Sequence, residues 1–147
     1  MKVEGLNIHP LKSGRAIPVE SASVRFDGLA GDRRYMIVEP DGRFITQREL
    51  QALARVEATA VGESLHLEMG GRQLFASFEP DDRLDVTIWD SPVSAAVADE
   101  AVNETLSEWF VRPVKLVHMD AAARRAEGED WAGEPAPVGF AGGFPVL

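Results

Sequence analysis

Three arginines are spaced so that one reversal of the chain would bring them together. Arg33 and Arg34 precede a short apolar run, Tyr35–Val38, which is typical of a buried strand. Residues 39–42, Glu-Pro-Asp-Gly, have the proline and glycine positions of a type I turn. The alternating segment after this turn ends at Arg48 and predicts the partner strand of a hairpin.

The two ends of an antiparallel hairpin are neighbours, so the three guanidiniums should meet at one mouth. Such a cluster, beside the flexible Gly-Leu-Ala-Gly approach at residues 28–31, could bind an oxyanion. The alternative interpretation is that two solvated strand ends carry arginine for solubility. Spacing by itself leaves both interpretations open.

A second group of donors precedes the hairpin. Lys12, Ser13, Gly14 and Arg15 are consecutive. Glycine lets the backbone approach a ligand closely, and lysine and serine supply hydrogen-bond donors. The spaced glycines and following helix of a phosphate-binding P-loop are missing. This segment could therefore be a ligand-binding loop or simply a tight connection between two strands.

The distribution of charge also points toward a specific anion. The chain has a net charge of −9, from 24 acidic and 15 basic side chains, which argues against a partner that is a nucleic acid. Residues 12–48 nevertheless carry seven basic and five acidic side chains. An acidic protein that concentrates positive charge in one segment either binds an anion there or pairs the charges internally.

The composition excludes several kinds of chemistry. The 147 residues include no cysteine, so disulfides and thiolate ligands are excluded within them. The three histidines, His9, His66 and His118, have no close histidine or cysteine companions, and no nucleophile motif of the G-x-S-x-G type occurs. We therefore expect neither a metal site nor a catalytic residue. No apolar run is long enough for a membrane span, and the N-terminus has no apolar region typical of a signal peptide. The absence of cysteine makes a reducing cytoplasm the expected location.

Short alternating segments between turn residues predict a mostly β, β-rich α+β fold: an antiparallel β-barrel with one C-terminal amphipathic helix. The helix should begin after Asp99 and end before Arg112, with Trp109 and Phe110 in the core. A turn is expected at residues 79–82. Besides the central hairpin, strands are expected over residues 3–8, 19–26, 56–61, 64–69, 72–78, 84–89, 93–96 and 114–119.

The end of the chain differs in composition from the rest. Residues 120–137 are rich in Asp, Ala, Arg, Glu, Gly and Pro, which predicts a lengthy loop. Residues 138–147 are apolar and have the character of a segment that leads into a buried strand. We interpret this as a boundary, beyond which either further sequence or a partner would continue the structure.

Several motifs, taken in order, carry a resemblance to a known family. They are Pro-Leu-Lys-Ser at 10–13, Gly-Asp-Arg-Arg-Tyr at 31–35, Asp-Gly-Arg-Phe-Ile-Thr-Gln-Arg at 41–48, Arg-Pro-Val-Lys-Leu-Val at 112–117 and Phe-Ala-Gly-Gly-Phe-Pro at 140–145. The chain resembles the N-terminal β-barrel domain of MOSC proteins, a family that includes amidoxime-reducing molybdenum enzymes and their bacterial relatives. The resemblance covers nearly the whole chain.

The resemblance implies a cofactor and the residues that contact it. In the family, the pyranopterin molybdenum cofactor sits between the barrel domain and the MOSC domain proper. Lys12, Ser13 and Arg33 would contact the cofactor, chiefly its phosphate and pterin. Thr46 and Arg48 match a motif next to that site. Nothing is transferred to Arg34, where relatives vary.

The resemblance also implies a division into domains. Residues 1–119 would be the barrel domain, and residues 120–147 a loop and the beginning of a missing MOSC core domain. The family's molybdenum is held by a cysteine of that core, which this sequence lacks. We therefore expect the cofactor-contacting half of an oxidoreductase that reduces N-hydroxylated compounds. This chain would be inactive by itself and would bind the cofactor weakly if at all. Its partner would be the core domain or an equivalent chain, and an electron-donor protein is a possible second partner. Molybdenum at one per chain, with turnover, would contradict this expectation.

An alternative from another class stays open. The chain could be a non-catalytic, stand-alone β-barrel that binds a protein partner or a small anion through residues 12–48. Its apolar end, residues 144–147, would then be the docking surface. A reading frame that continues into a cysteine-bearing domain would support the cofactor interpretation, and a natural stop after Leu147 would support this one.

Overall fold

A computed structural model describes residue 2 and residues 4–123. Most of its secondary structure is β, with one α-helix and a short 3-10 helix, Gln51–Arg55, in these residues. The strands before the 3-10 helix are β1 (Asn7–Ile8), β2 (Ile17–Pro18), β3 (Val24–Arg25), β4 (Gly28–Leu29) and β5 (Tyr35–Val38). The elements after it are β6 (Glu57–Val61), β7 (Ser64–Met69), β8 (Arg72–Ala76), β9 (Phe78–Ile88), β10 (Ser91–Ala98), α1 (Glu100–Phe110) and β11 (Lys115–His118).

The described strands form four antiparallel sheets. The largest has the order β5-β11-β10-β9, and the next has the order β6-β7-β8. Two-residue strands make the small pairs β1-β2 and β3-β4. The predicted strands over 56–61, 64–69 and 114–119 are confirmed within a residue at either end, whereas those over 3–8 and 19–26 are much shorter than expected. Residues 124–147, with most of the predicted loop and the apolar end, lie outside the described residues.

Strand β5 of the four-stranded sheet is buried on both faces. All four residues of β5 are buried because alternate side chains enter two different clusters. Tyr35 and Ile37 belong to a core shared with α1 and the three-stranded sheet. Met36 and Val38 belong to a second cluster, built from alternate residues of β9, β10 and β11. A strand buried on both sides has a continuous apolar sequence, as this one does.

The predicted helix is confirmed at both ends. The side chain of Asp99 accepts a 2.9 Å hydrogen bond from the backbone N–H of Val102, which satisfies one of the free donors of the first turn. The helix ends at Val111, whose backbone is left-handed with φ of +50°. Trp109 and Phe110 are buried in the core, as predicted.

The expectation of a closed β-barrel is wrong for the described part of the chain. The sheets do not close, and the edges of the largest one are β5 and β9. The segment that returns after the turn lies between these edges but makes only single bridges, from Phe44 to Val38 and from Arg43 to Thr87. This segment forms no paired strand because it leaves the sheet after a few residues. Residues 47–49 form a turn, in which the backbone N–H of Glu49 donates to the carbonyl of Thr46.

The predicted hairpin is therefore correct in its turn and wrong in its second strand. The backbone N–H of Gly42 donates to the carbonyl of Glu39 at 2.9 Å, and that of Glu39 donates to the carbonyl of Arg43 at 2.8 Å. Pairing beyond this is limited to the bridge at Phe44 and one hydrogen bond from Ile45 to Ile37. The turn expected at residues 79–82 is also wrong, since they lie inside β9.

A network of ion pairs connects the turn to the end of α1. Glu39 accepts hydrogen bonds from Arg43, at 2.8 Å, and from Arg112. Arg43 also donates to Glu49 at 2.8 Å. These hydrogen bonds, Arg43 before Arg112, lower the pKa of Glu39 from 4.5 to about 2. The network thus favours the ionised form of a carboxylate on the surface.

This depressed pKa predicts a dependence of stability on pH. A carboxylate whose pKa is lower in the folded state stabilises that state above its unfolded pKa, and the stabilisation disappears as the pH falls toward the folded value. The stability advantage of the wild type over Glu39→Gln should therefore be full at pH 5 and above and vanish between pH 4.5 and about 2. Urea unfolding across this range measures it. A difference that is independent of pH would contradict the prediction, and 0.5 M NaCl should shrink it, since exposed pairs are screened.

No helix in the described ranges is long and apolar enough to cross a lipid bilayer.

Candidate functional site

A cavity of about 430 Å³ lies where several loops meet beside β5. The three residues predicted to contact a cofactor and the two predicted next to that site all line it, so the structure brings the five together. Binding of a ligand by them stays a prediction. The lining residues are His9, Lys12, Ser13, Gly14, Arg33, Thr46, Gln47, Arg48 and Trp89.

The first wall is the loop of residues 9–14, which runs beside the start of β5. The backbone N–H of Lys12 donates to the carbonyl of Tyr35 at 2.8 Å, and the N–H of Tyr35 donates to the carbonyl of Pro10 at 3.1 Å. Leu11 forms a parallel bridge with Tyr35 and is 1% exposed. A buried leucine thus anchors the loop that carries Lys12 and Ser13. Ser13 has a left-handed backbone, with φ of +64°.

The second wall is fixed to the first by a buried carboxylate. One oxygen of Asp32 accepts a 2.7 Å hydrogen bond from the backbone N–H of His9. The other lies 3.3 Å from Nε of Arg33. The backbone N–H of Arg33 also donates to the carbonyl of His9 at 2.6 Å. Asp32 is 8% exposed, so it holds the Arg33 guanidinium and the loop of residues 9–14 in a fixed relation.

The third wall is the turn at residues 46–49. The side-chain amide of Gln47 donates a 2.8 Å hydrogen bond to the carbonyl of Ser13, which connects this turn to the first wall. The carbonyl of Thr46 accepts from the backbone N–H groups of Glu49 and Leu50. Arg48 is exposed, and no ion pair within the described residues involves it. It adds positive charge at the rim of the cavity.

An aromatic pair completes the lining. Trp89 lies in the connection between β9 and β10, and its ring centroid is 4.9 Å from that of Phe44, with the planes inclined by 54°. The ammonium of Lys12 lies over the Phe44 ring, 5.8 Å from its centroid, which is within the range of a cation–π contact. Phe44 is therefore a shared neighbour of a cation and an indole.

The chemistry of the lining suits an anion. Lys12, Arg33 and Arg48 carry positive charge, and lysine and arginine bind phosphate as a point charge and as a planar fork respectively. No group of His, Asp and Glu side chains suited to a metal ion occurs among residues 4–123.

The prediction of three guanidiniums at one mouth needs a correction. Arg34 is not part of the lining, because its side chain pairs with Asp27 at 2.7 Å and donates to the carbonyl of Met119 at 3.0 Å. Arg33 lies in the turn before β5, with a left-handed φ of +49°, and its guanidinium pairs with Asp32, whereas that of Arg34 pairs with Asp27. Lys12 takes the place of Arg34 as the third cation. Some positive charge in residues 12–48 is thus paired internally, as the alternative interpretation allowed.

Sequence reasoning did not identify His9, Gln47 or Trp89 as part of a site. For Trp89 a signal existed, since the alternation of β9 puts Val86 and Ile88 in the core and leaves position 89 on the outward side. This signal is weak by itself, because single apolar side chains are common on protein surfaces. Gln47 and His9 gave no comparable signal in the sequence. Their side chains are positioned by hydrogen bonds to backbone carbonyls of the loop at residues 9–14, which a sequence pattern does not show.

Comparisons with known proteins agree with one another. A family model described as the MOSC N-terminal beta barrel domain matches residues 1–113. Mitochondrial amidoxime-reducing component 1 of Danio rerio is 31% identical over 129 residues, which are 80% of this chain and 39% of that protein. The protein of the same name from Xenopus laevis is 30% identical over 133 residues, 84% of this chain and 39% of that protein. The chain thus spans about two-fifths of the length of these curated relatives.

Two further similarities are shorter or more distant. Molybdenum cofactor sulfurase of Drosophila grimshawi is 32% identical over 66 residues, which are 45% of this chain and 9% of that protein. A solution structure of a protein from Bordetella bronchiseptica superimposes with a TM-score of 0.51 at 19% identity, over 71% of this chain and 93% of that one. At this level of identity the superposition shows a shared fold and nothing about function.

Proposed function

This chain belongs to the family of MOSC N-terminal beta barrel domains, and on that premise we propose that it supplies the phosphate-binding half of a site for the pyranopterin molybdenum cofactor. One observation carries the proposal: the adjacent residues Lys12 and Ser13 line the same cavity as Arg33, which comes from a separate segment of the sequence. Three relatives are named as an amidoxime-reducing component or a molybdenum cofactor sulfurase. Their names support molybdenum-cofactor chemistry for the whole protein.

The residues of the cavity fit the phosphate end of such a cofactor. Lys12 contributes a point charge, Arg33 a fork that can donate to two oxygens, and Ser13 a hydroxyl donor. The carboxylate of Asp32 pairs with the Arg33 guanidinium and restricts its movement. Arg33 therefore loses less conformational entropy on binding a ligand than an unrestrained arginine would. Arg48 and Thr46 complete the rim.

The metal end of the cofactor has no counterpart among these residues. The 147 residues contain no cysteine, and molybdenum as a soft centre favours a thiolate. We propose that the MOSC core domain, on this polypeptide or on a partner chain, supplies that ligand, and that an electron-donor protein acts with the complete enzyme. When bound, the cofactor would supply two-electron chemistry for the reduction of N-hydroxylated compounds. Without the core domain, this domain would bind the cofactor weakly and would show no catalytic turnover. We further propose that the protein is cytoplasmic.

Binding of a simple phosphomonoester tests the role of the cavity. Titration of the chain with glycerol 3-phosphate in a calorimeter should show binding that Lys12→Ala weakens at least ten-fold, because a hydrogen bond to a charged group contributes about 1.5–3 kcal/mol. Arg25→Ala is the matched control. It also removes one positive charge, but from the exposed β3-β4 hairpin, away from the cavity.

Two results would contradict the proposal. If Arg25→Ala weakened binding as much as Lys12→Ala, the protein would attract anions only through its general field. If the wild type failed to bind the phosphomonoester at millimolar concentration and low salt, the cavity would not be a phosphate site.

A further inference from the structure

Trp89 is a large apolar side chain that lies exposed beside the cavity. It is 54% exposed, while Val86 and Ile88 of the adjacent strand are 1% and 0% exposed. Its indole lines the cavity together with Lys12 and Arg33. A single exposed apolar side chain is common on protein surfaces. Its position therefore needs a second observation before it indicates a function.

The backbone supplies that observation. Trp89, with φ of +53°, and Asp90, with φ of +145°, form the two-residue connection between β9 and β10. Such connections favour glycine or asparagine, because residues with a Cβ rarely adopt positive φ. The two-residue connection between β7 and β8 is indeed Gly70-Gly71. A tryptophan at a position where glycine fits better is a strained choice, and such strain is concentrated at functional sites.

The indole also has a fixed place relative to the cations. Phe44 contacts it at 4.9 Å between ring centroids, and the ammonium of Lys12 lies 5.8 Å from the Phe44 centroid. More than half of the Trp89 surface nevertheless stays exposed. The cavity thus offers positive charge and a flat apolar surface at neighbouring positions. A volume of about 430 Å³ lies in the range of small-molecule sites.

We infer that Trp89 binds the planar ring of a phosphorylated heteroaromatic ligand by stacking, while Lys12, Ser13 and Arg33 bind its phosphate. The inference rests on the proposed function and adds the orientation of the ligand in the cavity, with its ring and its phosphate at different sides. A fused pyrimidine ring, as in a pterin, presents a flat face on which an indole can stack without any particular hydrogen-bond pattern. The phosphate would face the loops at 9–14 and 31–34, and the ring the β9-β10 connection.

Three ligands and three variants test this inference. The ligands are 6-hydroxymethylpterin phosphate, which has ring and phosphate, glycerol 3-phosphate, which has only the phosphate, and 6-hydroxymethylpterin, which has only the ring. The variants are Trp89→Gly, Trp89→Phe and, as a control, Phe75→Ala. Glycine suits the positive φ of position 89, and circular dichroism checks that the variant folds. Phe75 is a second exposed aromatic residue, 64% exposed, outside the cavity.

Trp89→Gly should weaken binding of the pterin phosphate roughly ten-fold, which is within the range for loss of one aromatic stacking partner. It should leave glycerol 3-phosphate binding unchanged, Trp89→Phe should retain most of the affinity, and Phe75→Ala should have no effect. The ring-only compound should bind far more weakly than the pterin phosphate. Equal binding of the pterin phosphate to the wild type and to Trp89→Gly, or equal loss for both phosphate ligands, would overturn the inference and leave the phosphate site standing. Failure of both phosphate ligands to bind the wild type would overturn the proposed function and the inference with it.

Discussion

Gly42→Ala should destabilise the protein by about 3 kcal/mol, through a clash added to an unfavourable backbone conformation. Gly42 has φ of +90°, and a Cβ placed on it would lie 2.1 Å from the carbonyl oxygen of Asp85 and 3.2 Å from Cα of Val86. Both contacts are with backbone, so no side chain can move aside. The backbone N–H of Thr87 donates to the carbonyl of Gly42 at 3.0 Å, and separating the segments would break this hydrogen bond as well.

A second glycine provides the matched control. Gly70 has φ of +58°, and nothing lies within 4 Å of a Cβ placed there. Gly70→Ala should therefore cost only the conformational part, about 1 kcal/mol. Urea unfolding followed by circular dichroism measures both variants. Equal losses of unfolding free energy would show that the close approach of Gly42 to β9 has no energetic importance.

The same position matters for the candidate site. Gly42 precedes the segment that bridges β5 and β9 through Phe44 and Arg43 and then leads to Thr46, Gln47 and Arg48. The sequence indicated only a turn role for Gly42. In the structure it is also the residue at which the segment after the turn approaches the backbone of β9. We expect Gly42→Ala to weaken phosphate binding in addition to stability.

Local patterns predicted the local elements. The strict alternation of β7, the glycine pair after it and the Asp99 cap of α1 each depend on neighbours in the sequence, and all three are confirmed. The turn predicted at residues 79–82 failed because a tertiary position overrode a local preference. Pro80 lies in β9, which is an edge strand of its sheet, and an edge strand tolerates a residue without a backbone donor.

Contacts between distant segments could not be predicted in this way. Barrel closure was expected from the number of short strands, but closure depends on the register between β9 and the segment after Gly42, which alternation does not encode. The charge of residues 12–48 indicated an anion site, yet charge does not distinguish Arg33, which faces the cavity, from Arg34, which pairs with Asp27. The run of donors at residues 12–15 suggested Lys12 and Ser13, and the family resemblance assigned them to the cofactor.

The buried carboxylate of Asp32 connects the fold with the candidate site, since it is both a structural and a positioning group. It accepts from the His9 backbone at 2.7 Å and pairs with Arg33 at 3.3 Å. Its negative charge would also repel an anion bound in the cavity. The two effects of Asp32 on anion binding, ordering of the loops and repulsion of the anion, thus act in opposite directions.

Asp32→Ala should therefore lower the free energy of unfolding by about 2 kcal/mol, because it leaves the half-buried His9 N–H without its acceptor. It should also weaken glycerol 3-phosphate binding roughly ten-fold, since the loop that carries Lys12 and Ser13 loses its attachment to Arg33. Asp32→Asn, which keeps an oxygen for the His9 N–H, should retain most of the stability and bind phosphate within a few-fold of the wild type. Urea unfolding and calorimetry measure the two effects. If Asp32→Ala instead bound phosphate more tightly than the wild type, removal of the repelling charge would outweigh loss of loop order, and the positioning role of Asp32 would be wrong.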